Sequence, residues 1–521
     1  MGDGLDWRST PELVAVAAER YADAEALVDG DLRLTFRDLA DEVRRAAKAF
    51  VAAGVAPGDR VGIWAPNVAE WVVAALGVHA AGAALVPVNT RFKGEEAAWV
   101  LGRSGARVVL TVTGFLGTDY VGMLDGIDGL EQVVVLRGDA PAGTTAWPDF
   151  LAAGDGVEDV EVERRSAAIG PEDPSDVIFT SGTTGRPKGV VSTHGQTLRA
   201  FDDWSRIVGL REGDRYLVVN PFFHTFGYKA GFLACLMRGA AIVPHAVFEV
   251  PSVLARVAEE RISMLPGPPT LYASILDSPD RSSLDLSSLR LAVTGAAPVP
   301  VPLIERMREE LTFETVLTAY GLTEATGVVT ICRQDDDPET ISRTSGRAIP
   351  DVEVRIVDDS GSEVERGAAG EIVVRGYNVM QGYLDDPEAT AEAVDELGWL
   401  HTGDIGVMDD RGNVTITDRK KDMFVVGGFN AYPAEIEGKL LRHPAVGQVA
   451  VVGVPDDRMG EVGMAFVIPR PGAAVDPDEV VAWARERMAN YKVPRRVAVV
   501  DALPLNASGK VLKHELRASA S

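Results

Sequence analysis

The sequence predicts an α/β protein in two parts. One is a large N-terminal domain of α/β layers with parallel-rich sheets and a small β-barrel-like part, and the other is a small C-terminal α+β domain. Three observations carry this prediction. Through the first 350 residues, short apolar runs alternate with helix-like segments, as expected of strands joined by crossover helices. Beyond that point the runs close up with turn residues between them, which reads as antiparallel hairpins. From Asp418 onward the order is hairpin, helix, two strands and a helix.

In order, residues 59–65 read as a strand, 70–81 as a helix and 84–88 as a strand, and the rhythm returns at 107–113, 132–136, 176–179, 214–220, 240–244 and 290–294. The stretch 71–88 holds no Asp, Glu, Lys or Arg and reaches the lower length limit of a membrane span. Gly77, His79, Gly82 and Pro87 divide it, so helix, turn and buried strand is the reading, and no membrane span is expected. Residues 352–357, 370–375 and 413–417 read as hairpin strands. A hairpin at Gly427 and Gly428, a helix over 433–442, strands over 449–454 and 464–468 and a helix over 477–490 complete the chain. The boundary falls near Lys421, giving domains 1–420 and 421–521.

Apolar residues make up 46% of the 521 and charged residues 25%, which excludes a disordered chain. Lys plus Arg number 51 against 77 Asp plus Glu, a formal charge of −26. That balance excludes a nucleic-acid polymer as partner, because phosphate contacts need a concentrated basic face. An anionic small molecule would need locally placed cations. Two cysteines, Cys235 and Cys332, exclude a disulfide framework and a thiol zinc site. With no apolar signal segment near Met1, the expected location is the cytoplasm. Nothing in the sequence fixes the oligomeric state, a homodimer included.

Four motifs carry chemistry. Thr180, Ser181, Gly182, Thr183, Thr184, Gly185 and Lys188 follow an apolar strand. Glycines let backbone approach an anion, hydroxyls donate to it and the lysine adds charge, so the loop reads as a phosphate cradle. Its spacing is not that of a P-loop ATPase. Tyr320, Gly321, Thr323 and Glu324 combine an aromatic face, a turn, a hydroxyl and a carboxylate suited to a base, a phosphate and a hard cation. A plain turn with Thr323 as helix N-cap would look identical. Asp404, after Gly403, has the acceptors for a ribose diol, and Arg419 offers a charge-assisted bond nearby. Lys510, after Ser508 and Gly509, is a mobile point charge.

Together and in this order, the motifs resemble the superfamily of AMP-forming acyl-CoA synthetases, peptide-synthetase adenylation domains and beetle luciferases. The resemblance implies ATP, Mg²⁺ and CoA as cofactors and a carboxylic acid as substrate. It implies that Thr180 to Gly185 and Lys188 hold the ATP phosphates, and that Gly295, Ala296 and Ala297 with Tyr320 embrace adenine. Thr323 and Glu324 then serve phosphate and Mg²⁺, Asp404 and Arg419 the ribose, and Lys510 the adenylation step. Lys421 is the implied hinge of a mobile C-terminal domain, and Gly427 and Gly428 line the implied thiol channel. Residues 221–231, 265–269 and 427–433 further resemble bacterial ligases that activate the propanoate side chain of partly degraded steroid rings. Asn506 departs from the Thr that many members carry.

By the same resemblance His224 borders the acyl pocket and contacts the carboxylate or swings between two states, although a lone histidine beside apolar residues also fits a packed core. Lys229 is exposed, paired or pointed at a substrate oxygen, since an uncompensated buried ammonium is costly. Alternative outcomes of the adenylation are nitrite activation for diazotisation of an aryl amine, or amide formation and carrier-protein loading.

Overall fold

The computed structural model describes residues 6–180, 186–295, 299–358, 360–419, 424–431, 433–504, 511 and 513–520. The chain divides into two compact units. The first holds residues 1–90, 101–178 and 189–417; the second holds 91–100, 179–188 and 418–521.

The largest sheet has eight strands, in the order Gly382–Tyr383, Lys188–Thr193, Pro174–Thr180, Ala84–Pro87, Arg60–Trp64, Val108–Val112, Gln132–Arg137 and Thr145–Ala146. From Pro174–Thr180 onward its neighbouring strands pair in parallel. Strands such as Ala84–Pro87 and Val108–Val112 are buried at every position, which is why they read as continuous apolar runs. The helix Ala69–Ala80 is buried on nearly all sides, so its sequence lacks a polar face. Gly77 and His79 therefore lie inside a helix instead of dividing it. A Cβ at Gly77 would stand 2.6 Å from that of Ala46, so this glycine lets the amphipathic helix Phe36–Ala52 pack closely. The break comes at Gly82, with φ of +91°. Among the described residues no helix is long and apolar enough to cross a membrane.

A second sheet pairs Arg215–Val218, Ala241–Pro244 and Glu25–Asp29 in parallel, with Leu32–Thr35 antiparallel at the edge. Met264 bridges it to Leu291–Thr294, which runs parallel to Thr315–Tyr320 with Thr294 opposite Thr318. The barrel-like part is an open four-stranded sheet of Val352–Val357, Gly370–Gly376, Leu400–Met408 and Val414–Arg419.

The second unit is built on the long hairpin Val446–Asp456 and Gly460–Pro469, with Arg496–Val499 parallel to the latter strand. Both hairpin strands outrun the sequence reading: Pro455 pairs with Glu461 inside the ladder, and Gly447 sits at a bulge between Val446 and Gln448. Helices Pro433–Leu440 and Pro477–Arg487 belong to the same unit.

Candidate functional site

In the first unit, two parallel strands deliver the second motif. Gly295 and Tyr320 emerge at the C-terminal ends of neighbouring strands, where ligands bind in open α/β sheets. A Cβ at Gly295 would sit 2.9 Å from the Ala319 carbonyl, and one at Gly321 only 2.2 Å from the Gly327 carbonyl. Both contacts are with backbone, which cannot step aside, so a side chain at Gly321 would force the turn open. Thr323 is the first residue of a single 3₁₀ turn, Thr323–Ala325, with Leu322 at the N-cap position; the alternative of Thr323 as a helix N-cap does not hold. The turn is anchored on residues 378–383. Thr326 donates from its hydroxyl to the Asn378 carbonyl at 2.7 Å, Met380 N–H donates to the Glu324 carbonyl at 2.9 Å, and the Tyr383 hydroxyl donates to Glu324 Oε1 at 3.1 Å.

Tyr320 meets the third motif directly: its hydroxyl donates to Asp404 Oδ2 at 2.6 Å, with both residues buried. Asp404 lies within the strand Leu400–Met408 instead of after a free turn. Pairing with Gly370–Gly376 slips between Glu371 and Val373, and Gly403, at φ +69°, supplies the bulge that re-aims the following side chain. The bulge is tied down by the Thr402 hydroxyl donating to the Ile372 carbonyl at 2.7 Å and by Gly403 N–H donating to Glu371 Oε1 at 3.2 Å. Two tyrosine–carboxylate pairs thus flank the turn, Tyr320 with Asp404 and Tyr383 with Glu324; the sequence did not single out Tyr383.

His224 caps the short helix Thr225–Gly227, and its Nδ1 accepts the Phe226 N–H at 3.2 Å. That bond leaves the neutral ring's proton on Nε2. The residue keeps exposed surface; desolvation by the surrounding protein shifts its pKa downward, and an Nδ1 that accepts leaves the ring neutral. The loop before it is held by Asn67, which sequence reasoning missed. Asn67 Nδ2 donates to the Val218 and Asn220 carbonyls at 2.9 and 2.8 Å, and its Oδ1 accepts from Phe222 N–H at 2.8 Å. A single asparagine 154 residues upstream of the Pro221 turn carries no local signal of that role. Beside the loop, Trp71, Phe222, Tyr228 and Phe232 pack ring against ring at 5.2 to 6.3 Å. Lys229 is paired: its Nζ lies 3.0 Å from Asp176 Oδ1, and both side chains are fully buried.

In the second unit, Thr180 ends one strand and Lys188 begins the next. Trp99 Nε1 donates to the Pro187 carbonyl at 3.0 Å, and the Arg186 guanidinium lies 4.3 Å from the Trp99 ring centroid. Gly427 and Gly428 form the two-residue turn of a hairpin, at φ +55° and +85°, the left-handed pair that such tight turns require. Ser181, Gly182, Thr183, Thr184, Gly185, Ala296, Ala297, Lys421 and Lys510 lie outside the described residues, as does the side chain of Arg419.

Among the described residues no group of three or more His, Cys, Asp or Glu could hold a metal ion. Glu324 offers one carboxylate with Thr323 beside it, a donor set that suits a hard cation completing its shell with phosphate oxygens and water.

Comparison with known proteins places this geometry in a family. Residues 14–384 match the AMP-binding enzyme family and residues 435–510 match the AMP-binding enzyme C-terminal domain. The chain is 54% identical over 516 residues to the 3-[(3aS,4S,7aS)-7a-methyl-1,5-dioxo-octahydro-1H-inden-4-yl]propanoyl:CoA ligase of Rhodococcus jostii, covering 98% of each chain. It is 52% identical over 514 residues to the ligase of the same name from Mycobacterium tuberculosis, covering 98% of this chain and 99% of that one. The solved structure of o-succinylbenzoate CoA synthetase from Bacillus subtilis, bound with its product analogue, superposes with a TM-score of 0.84 at 30% identity, covering 97% and 98% of the two chains. With both family domains present and relatives matched end to end, this chain belongs to the AMP-binding enzymes, as an adenylate-forming acyl-CoA synthetase.

Proposed function

We propose that this acid:CoA ligase activates a bulky, ring-bearing propanoate related to the fused-ring acid named for its Rhodococcus and Mycobacterium relatives. The observation that carries the substrate class is identity above one half along the whole chain to two ligases of that acid. In the first half-reaction a carboxylate oxygen attacks the α-phosphorus of ATP, the bond to the β-phosphate bridging oxygen breaks, and pyrophosphate leaves. In the second, the CoA sulfur attacks the acyl carbon and AMP leaves. The diazotisation and amide-forming alternatives are not favoured by relatives that are CoA ligases.

The assigned roles follow the chain's own chemistry. Asp404 accepts from the ribose hydroxyls while Tyr320 holds its second oxygen, and the Tyr320 ring faces adenine. Neutral His224 donates from Nε2 to the acid's carboxylate. Thr180 to Gly185 and Lys188 cradle the phosphates, and Lys510 brings a positive charge to the anionic reaction centre, where such a group contributes roughly 10²- to 10³-fold in rate. Mg²⁺, held by Glu324 beside Thr323, would neutralise phosphate charge. Residues 421–521 act as a lid that pivots at Lys421, and Gly427 and Gly428 line the thiol's path. The cytoplasm supplies ATP, CoA and the reducing conditions that suit Cys235 and Cys332.

The test is pyrophosphate release measured over aliphatic, aryl and fused-ring propanoates, with and without CoA. Turnover confined to the fused-ring acids is the expected result; equal turnover of straight-chain acids would refute the substrate class. Lys510→Ala should abolish acyl-adenylate formation and spare thioester formation from pre-made adenylate, whereas equal loss of both steps removes its role.

A further inference from the structure

Lys229 and Asp176 form an ion pair that neither side shares with solvent. Asp176 Oδ2 accepts the Ser175 hydroxyl at 2.7 Å. Two histidines stand close by. His79 Nε2 is 2.9 Å from the Ser175 carbonyl and 3.4 Å from the Tyr228 hydroxyl, and the His79 and His194 rings are 5.1 Å apart. Burial holds His79 at about 4 and His194 well below its ordinary value. Both rings are neutral at pH 7, so the ammonium and the carboxylate are each other's counter-ion within an uncharged shell.

Packing alone does not call for such a pair. Apolar residues of similar volume are often as stable as a buried ion pair or more so. The placement of the two partners is the informative feature. Asp176 lies four residues before Thr180 on the strand Pro174–Thr180, the strand that leads into the phosphate loop. Lys229 lies in a π-helical turn, Tyr228–Leu233, that follows directly on the helix capped by His224. Such turns are rare and recur at functional sites. Here the widened turn keeps six successive residues buried, Lys229 among them.

We propose that Lys229 and Asp176 are positioning residues that fix the His224 turn against the strand ending at Thr180, aligning the acid with the ATP loop for adenylation. The idea rests on the adenylation reading given above. An ion pair suits this task better than apolar contact because a single N–O distance sets the spacing, whereas apolar side chains slide at little cost. Misplacement of reacting groups by about 1 Å commonly lowers a rate by about 10²-fold.

The full-length enzyme is compared as wild type, Lys229→Met, Asp176→Leu and the double variant, by thermal melting and by acid-dependent pyrophosphate release. Either single variant strands a buried charge and destabilises the fold; the double variant removes both charges and should melt within a few degrees of wild type. In that double variant kcat should fall roughly 10- to 100-fold, with KM for ATP changed by less than about threefold. Wild-type kcat in a stable double variant overturns the proposal, as does a loss of kcat that only tracks the folded fraction. Hydrogen exchange over residues 174–180 reads the same pair without turnover: lost protection there supports it, and unchanged protection overturns it. Lost protection in a chain whose wild type adenylates no acid would sink the adenylation reading and leave the pair standing.

Discussion

Each compact unit of this enzyme buries a lysine completely, and the two lysines are handled in opposite ways. In the second unit Lys492 has Nζ 2.6 Å from Glu435 Oε1 and 3.0 Å from Glu96 Oε1, all three nearly inaccessible. Burial works against its charge more than any other single influence, yet Tyr491, Glu435 and Glu96 together outweigh it and raise the Lys492 pKa. In the first unit Lys229 has one carboxylate, and burial prevails over Asp176 so that its pKa is lowered. Two carboxylates per ammonium make a lock; one makes a pair near balance. A network of the first kind secures packing, and the second suits a spacing device, because little surplus attraction distorts the segments it joins.

The largest effect is expected where the surplus is greatest. Lys492→Met takes the buried ammonium from Glu435 and leaves Glu96 with Lys439 at 3.8 Å, and it should cost about 3–5 kcal/mol, read as a shift in the denaturant midpoint of the full chain. A loss below about 1 kcal/mol would mean the site behaves as a surface bridge and the contrast fails. Lys229→Met should cost less, about 3 kcal/mol, because Asp176 keeps its Ser175 hydrogen bond, and most of that loss should return in the double variant with Asp176→Leu.

Acid sharpens the comparison from the side of the neutral shell. The pKa of His79 is about 4 in the fold against an ordinary 6.5, so between these values the unfolded chain binds the proton that the folded chain refuses. The contribution is complete above pH 6.5 and is lost as pH falls towards 4. Between pH 7 and 5.5 it should amount to about 1 kcal/mol, visible as a flatter stability profile in His79→Gln. A slope unchanged in that variant would remove His79 from the account.

A fourth buried carboxylate, Asp404, is met by a neutral phenol. Tyr320→Phe removes one hydrogen bond, about 1 kcal/mol, and the expected effect is the smallest: a rise of roughly fivefold in KM for ATP with kcat little changed. A rise of about 10²-fold would show that the hydroxyl acts on the reaction itself.

These contrasts also show what the sequence could carry. The buried parallel strands were legible because a strand covered on both faces must be apolar throughout, and the end points of Ala84–Pro87 and Val352–Val357 were read to within a residue. The loop at Gly427 and Gly428 was legible because a two-residue turn dictates its own residues. Partnerships were not legible. Tyr320 and Asp404 are 84 residues apart and Asn67 bonds residues more than 150 away, distances over which no local pattern survives. Lys229 left three readings open in the sequence, and the strand Pro174–Thr180 resolves them by placing Asp176 against it. Gly77, inside the expected helix, is a contact point between helices, because a missing side chain serves close packing as well as it serves a turn.

The composition of the second unit bears on how the chain is made. Glu96 and Lys492 are 396 residues apart, and at a synthesis rate of about 5–20 residues per second the carboxylate leaves the ribosome roughly 20 to 80 seconds before its lysine. Residues 91–100 and 179–188 are therefore translated long before the body they belong to exists. Until the last hundred residues emerge, Phe92 lacks Lys492, whose Nζ lies 4.7 Å from its ring centroid, and Glu96 lacks that lysine's charge. Truncation from the C-terminus thus takes away the residues with which 91–100 and 179–188 form one compact unit.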